Sequence, residues 1–85
     1  MSKFRVIFNA TAEKEFAKLD KAIQSRVFKA IAKLPDNPRP PGCKKLTGSP
    51  NWRIRIGDFR VVYDIVAATM LINIVKIGHR KEVYD

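Results

Sequence analysis

All five prolines of this 85-residue chain fall between Pro35 and Pro50, in P-D-N-P-R-P-P-G-C-K-K-L-T-G-S-P. Proline has no amide donor and a fixed φ, so this stretch is neither a helix interior nor a central strand. It is read as a long crossing loop, anchored in the core by Leu46. A structureless connection of this length is uncommon in a compact domain and is often functional. It also splits the chain into two halves with different periodicities.

Before the prolines, Phe4 to Phe8 (F-R-V-I-F) is a β-branched and aromatic run that predicts a first strand. Asn9 or Thr11 can cap a helix beginning directly after it, because their side-chain oxygens accept from the free amides of a first helical turn. Ala12, Phe16 and Leu19 then repeat at i, i+4 and i+7, one face of a helix. Asp20 reads as a second N-cap, its charge suited to the positive end of the helix dipole. Ile23, Val27, Ala30, Ile31 and Leu34 form the apolar stripe of this second helix, with Lys21, Lys29 and Lys33 facing water. Pro35 ends it.

After the prolines the pattern is β. Trp52-Arg53-Ile54-Arg55-Ile56 alternates strictly, Phe59 to Val66 is β-branched and aromatic, and Met70 to Ile77 gives a further apolar strand. Gly57-Asp58 signals a two-residue hairpin, since primed turns need positive φ. The fold expected is α+β and single-domain over residues 1–85. An N-terminal strand, a helical hairpin and a three-stranded antiparallel meander would form one antiparallel sheet with the helices on one face.

The hairpin fixes a register. Ile56 pairs with Phe59, Arg55 with Arg60, Ile54 with Val61 and Arg53 with Val62. Directly paired residues share a face. Trp52, Ile54, Ile56, Phe59, Val61 and Tyr63 therefore face the core, and Arg53, Arg55 and Arg60 gather on the other side with Asp64. Like charges directly opposite one another cost roughly 0.2–1 kcal/mol. Three guanidiniums on one patch make sense if an anion sits between them, because the planar fork binds phosphate bidentately.

Charge supports an anionic partner. Seventeen Lys and Arg against eight Asp and Glu give a formal net charge of +9, which attracts polyphosphate, an acidic protein segment or an anionic membrane surface. Arg39, Lys44 and Lys45 in the proline loop add to it. Cys43 is the single cysteine, so no internal disulfide forms, and its thiol is assigned no role. The N-terminus lacks the apolar run of a signal peptide, and no stretch approaches the roughly 18 apolar residues needed to span a membrane. A cytoplasmic protein is expected.

The series W-R-I-R-I-G-D-F-R-V-V-Y-D-I, followed by I-G-H-R-K-E-V-Y, resembles the C-terminal half of the RelE group of RelE/ParE toxins. The strand, the helical hairpin and the K-L-T-G loop match as well, so the resemblance spans essentially the whole chain. It implies a microbial-RNase-like fold and a ribosome-dependent endoribonuclease that cuts messenger RNA and is inhibited by a cognate RelB-like antitoxin. It also maps functional residues: Arg53 and Arg55 on the second strand of the family, Arg60 at the start of the third, and Arg80 and Tyr84 in the final motif. Some RelE proteins carry lysines where this chain has Arg53 and Arg55. The higher pKa of arginine makes a general base less plausible there.

For such a substrate the residues favour a metal-independent route. Asp58, Asp64 and Glu82 form no paired-carboxylate pattern to hold magnesium, and no cofactor is expected. The RNA 2′-hydroxyl would then be the nucleophile, leaving a 2′,3′-cyclic phosphate. That chemistry needs a proton acceptor, a donor to the leaving oxygen and cations on the phosphorane. Arg60 and Arg80 suit the last role. His79, the single histidine, and Tyr84 are the candidates for proton transfer. The antitoxin should be acidic or amphipathic and should mask the basic surface. Two rival readings stand beside this one: a ParE-like inhibitor of DNA gyrase on the same fold, whose members generally lack the complete basic and tyrosine set, and a nucleic-acid-binding module without chemistry.

Overall fold

Asn9 sits where strand becomes helix. In the computed structural model, which describes residues 3–79, β1 (Arg5–Phe8) stops at Asn9, and Asn9 Oδ1 accepts from the amide of Ala12 at 2.8 Å. That bond satisfies one of the amides a first helical turn leaves open. Helix α1 (Ala10–Ala17) leads into α2 (Lys21–Ala32). Asp20 occupies the N-cap position of α2 without a side-chain hydrogen bond, so its contribution there is charge alone. Val27, Ile31 and Leu34 are buried, as the stripe requires, while Lys21, Lys29 and Lys33 are exposed.

The proline segment is more ordered than a bare crossing loop. Cys43 donates its amide to the Pro40 carbonyl at 3.1 Å, with Gly42 at φ +88° between them. Proline at the second position of a turn and a left-handed glycine at the third make a type II turn. Lys44–Lys45 then forms a two-residue strand, β2. The residue of this segment that packs against the core is Cys43, not Leu46. Leu46 instead closes a turn, its amide bonded to the Asn51 carbonyl at 2.9 Å.

Strands β3 (Trp52–Ile56), β4 (Phe59–Val66) and β5 (Leu71–His79) form the expected meander. The sheet has five strands, ordered β1-β5-β4-β3-β2, and it is not wholly antiparallel. β1 lies parallel to β5, with Arg5 opposite Leu71 and Phe8 opposite Ile74. The helical hairpin carries the chain back across one face, so β1 meets the last strand, running in the same direction.

Both helices cover that face. Ile54, Val61, Tyr63, Ile72, Ile74 and Ile77 meet Ala12, Val27, Ile31 and Leu34 in one cluster. Glu15 ties α1 to the β5 edge beyond β1: its Oε1 accepts from the Ile77 amide at 2.8 Å and its Oε2 from Lys76 at 2.9 Å. Among the described residues, no helix is long and apolar enough to cross a membrane.

Tyr63 pins the proline segment to the core. It is fully buried and donates its hydroxyl to the Pro38 carbonyl at 2.6 Å. Burial, then the adjacent Cys43 thiol, pushes this phenol well above the ordinary tyrosine range. Its contribution to stability is therefore complete below about pH 10, where the phenol is neutral folded and unfolded alike. Above that the unfolded chain loses its proton first, and stability falls by up to about 1.4 kcal/mol per pH unit. A Tyr63→Phe variant should lose this alkaline component when urea midpoints are compared between about pH 9 and 11. It should also be weaker at neutral pH by about 1–3 kcal/mol, because the Pro38 carbonyl is left without its donor.

Candidate nucleic-acid interface

The site is built on the sheet face opposite α1 and α2. Gly57 has φ +59°, the value a primed two-residue turn demands at its first central position. An added Cβ there would stand 3.0 Å from Arg26 Nη2, so the side chain of Arg26 also fills the space beneath the turn. The tight turn sets the pairing Ile56–Phe59, Arg55–Arg60, Ile54–Val61 and Arg53–Val62, identical to the register expected from sequence. β2 extends it, with Lys44 opposite Arg53. Four cations therefore share one face of β2, β3 and β4 as two like-charge pairs, Lys44 with Arg53 and Arg55 with Arg60.

The four are not equivalent. Lys44 and Arg55 are exposed and Arg60 is half-buried. Arg53 is only 4% exposed, lying between Lys44 of β2 and Val62 of β4, and Val62 is itself 5% exposed. Alternation fixed which face Arg53 takes but not its accessibility. Neither Arg53 nor Arg60 lacks an interaction partner. An incoming anion would meet Lys44, Arg55 and Arg60 directly, with Arg53 contributing field from beneath.

Other expected site residues lie elsewhere. Lys45 is opposite Trp52 on the far side of β2 and β3, and Arg39 stacks on the Trp52 ring with its guanidinium carbon 5.3 Å from the centroid. Trp52 and Tyr63 pack with the core, as their alternation required. Arg80 and Tyr84 lie outside the described residues.

His79 is not brought to the arginines. It pairs with Phe59, its ring edge-on to that phenyl at 5.6 Å. Phe59 shares a face with Ile56, so both rings belong to the helix-covered side. There His79 lines a cavity of about 410 Å³ with Glu15, Lys18, Leu19, Asp20 and Ile77. The cause is a bulge: Val62 pairs with Lys76 but Tyr63 with Ile74, leaving Val75 as an extra residue that reverses the alternation of β5. Continued from Ile72 and Ile74 without it, the same alternation would have put His79 on the arginine face. The adjacent apolar residues Ile74-Val75, which break the period of two, were the signal in the sequence.

Among the described residues, no group of three or more His, Cys, Asp or Glu side chains is placed to hold a metal ion. Gly78, opposite Arg60 on β5, puts no side chain between Arg60 and the strand edge.

Comparison with known proteins agrees with this architecture. Residues 6–84 match the family model described as the ParE toxin of type II toxin–antitoxin systems. An Escherichia coli protein described as RelE-like is 36% identical, with the alignment covering 98% of this chain and 92% of that protein. Among solved structures, RelE in the archaeal RelE–RelB complex of Pyrococcus horikoshii is 28% identical at TM-score 0.82, covering 98% of this chain and all of the other. The intact Escherichia coli RelBE complex contributes a likeness of fold: TM-score 0.81, 23% identity, 89% of this chain and 95% of the other.

Proposed function

Because the chain belongs to the RelE/ParE family of toxins from type II toxin–antitoxin systems, we propose that it is a ribosome-dependent endoribonuclease that cuts messenger RNA in the cytoplasm. The observation that carries this reading is the pair of like-charged ladder rungs, Lys44–Arg53 and Arg55–Arg60, on the sheet face opposite α1 and α2. Like charges set opposite one another on a ladder draw an anion toward them, and guanidinium forks match the oxygens of a phosphodiester.

The proposed reaction is attack by the RNA 2′-hydroxyl on the adjacent phosphorus, releasing the 5′-oxygen and leaving a 2′,3′-cyclic phosphate. Arg55 and Arg60 hold the non-bridging oxygens and oppose the charge that develops on them, with Arg80 assigned the same task. Lys44, Lys45 and Arg39 steer the flanking phosphates. The place of His79 on the helix-covered side counts against it as proton carrier and favours Tyr84. The Pyrococcus horikoshii and Escherichia coli relatives were solved with RelB antitoxins. We assign this chain a cognate antitoxin of acidic or amphipathic character that masks the open face.

Expression in cells followed by mapping of transcript ends tests the reading. The wild-type chain should stop growth and cut translated messages, and Arg80→Ala or Tyr84→Phe should abolish both effects. Intact messages in growth-arrested cells would refute it. Undiminished cleavage by His79→Asn between about pH 6 and 8 would remove that residue from proton transfer. The description of the matching family model as a ParE toxin favours a second reading, inhibition of DNA gyrase. Altered plasmid supercoiling with uncut messages would establish it instead.

A further inference from the structure

One residue of β3 turns its backbone toward an edge that no strand of the described residues occupies. A two-residue turn makes Ile56 and Phe59 a hydrogen-bonded pair, so the main-chain groups of Ile54 also point to β4. Those of Arg53 and Arg55 point the other way. Arg53 meets Lys44 of β2. Continuing that register would set Gly42 opposite Arg55, but the chain has already turned away through Pro40, Pro41 and Gly42. Beside the Arg55 backbone lies a cleft of about 180 Å³ lined by Ala30, Lys33, Pro40, Pro41, Ile54 and Arg55.

We propose that this cleft accepts a single unstacked nucleobase of the RNA strand whose phosphate lies on the Arg55 guanidinium. The inference rests on the nuclease reading and assigns it a base-binding subsite. Three features fit. The volume lies below the several hundred Å³ of drug-sized pockets and suits one flat ring between apolar walls, with prolines Pro40 and Pro41 as a rigid stacking surface. The Arg55 amide and carbonyl, side by side on an extended strand, offer one donor and one acceptor, which the edge of every base can match. Lys33 on α2 and Arg55 on β3 both line the cleft and both are exposed, so two cations stand beside it. An added protein strand fits less well. It needs a run of free main-chain groups, whereas β3 offers those of Arg55 alone and the opposing prolines have no amide proton.

NMR titration of the purified chain with nucleoside 5′-monophosphates tests this. The amides of Ala30, Lys33 and Arg55 should shift together and saturate, and inorganic phosphate at equal concentration should not reproduce those shifts. Ala30→Leu, which fills the cleft, should weaken nucleotide binding at least tenfold, and Lys33→Glu, a change at an exposed position, should weaken it several-fold. Affinity unchanged in both variants would overturn the proposal, as would equal shifts from phosphate alone. Protection of the Arg55 amide by the cognate antitoxin, with no response to any nucleotide, would give the edge to a protein strand and overturn it equally. Nucleotide binding here by a chain that cuts no RNA would leave the subsite standing and remove the nuclease reading. Cleavage without such binding would do the reverse.

Discussion

Replacing Arg60 with alanine is expected to slow RNA cleavage by about 10²–10³-fold, the usual loss when one preorganised donor to a developing oxyanion is removed. Arg60 is half-buried on β4 and faces Arg55 directly across the ladder, so part of its side-chain freedom is already lost before substrate arrives. Turnover on programmed ribosomes, measured under single-turnover conditions, isolates the chemical step. Arg60→Lys keeps the charge but loses the bidentate fork, and should recover only part of the rate. The exposed Arg55 is the internal control for the electrostatics. Arg55→Ala removes a like-charge rung, so the folded protein should be unchanged or more stable by up to about 1 kcal/mol even as cleavage falls. Cleavage by Arg60→Ala within threefold of wild type would sink the assignment.

The second large effect is on stability alone. Leu34 is fully buried where α2 hands over to the proline segment, in the cluster with Val27, Ile31 and the β-strand isoleucines. Leu34→Ala removes that packing and leaves a cavity that the sheet beneath cannot easily collapse into. The expected cost is about 2–5 kcal/mol. For a domain of this size each kcal/mol moves the midpoint by roughly 4–8 °C, so thermal denaturation should shift down by about 8 °C or more. A chain this short buries only a modest share of its surface, and the loss is a large part of its total stability. A shift below about 3 °C would show that the site repacks.

What the sequence displayed was local. The Gly57-Asp58 turn announced its own register, and the alternation of β3 sorted arginines from isoleucines because a period of two has only two faces. The hydrophobic stripe of α2 was equally readable. What it withheld depends on contacts between distant segments. β1 beside β5 and β2 beside β3 leave no trace in either strand alone, so the sheet was expected to be antiparallel and the proline segment bare. Arg53 shows the same limit for a single side chain: its face follows from parity, but its burial does not. His79 is the instructive case between these. The Ile74-Val75 doublet carried the phase change, but an apolar pair inside an apolar strand reads as emphasis until the bulge is seen.

The parallel pairing of β1 with β5 joins residues 5–8 to residues 71–74, nearly the two ends of the described chain. Synthesis is vectorial, at about 5–20 residues per second, and β1 waits for a partner made about 60 residues later. Until β5 emerges, β1 has no place in the sheet, because β5 separates it from β4, β3 and β2. The basic face lies on β2, β3 and β4, whose pairings are local, so it can form before β1 docks. Long-range pairing must overcome loop-closure entropy before it is rewarded, so closing β1 onto β5, and not forming the hairpin that carries the arginines, sets the pace of folding.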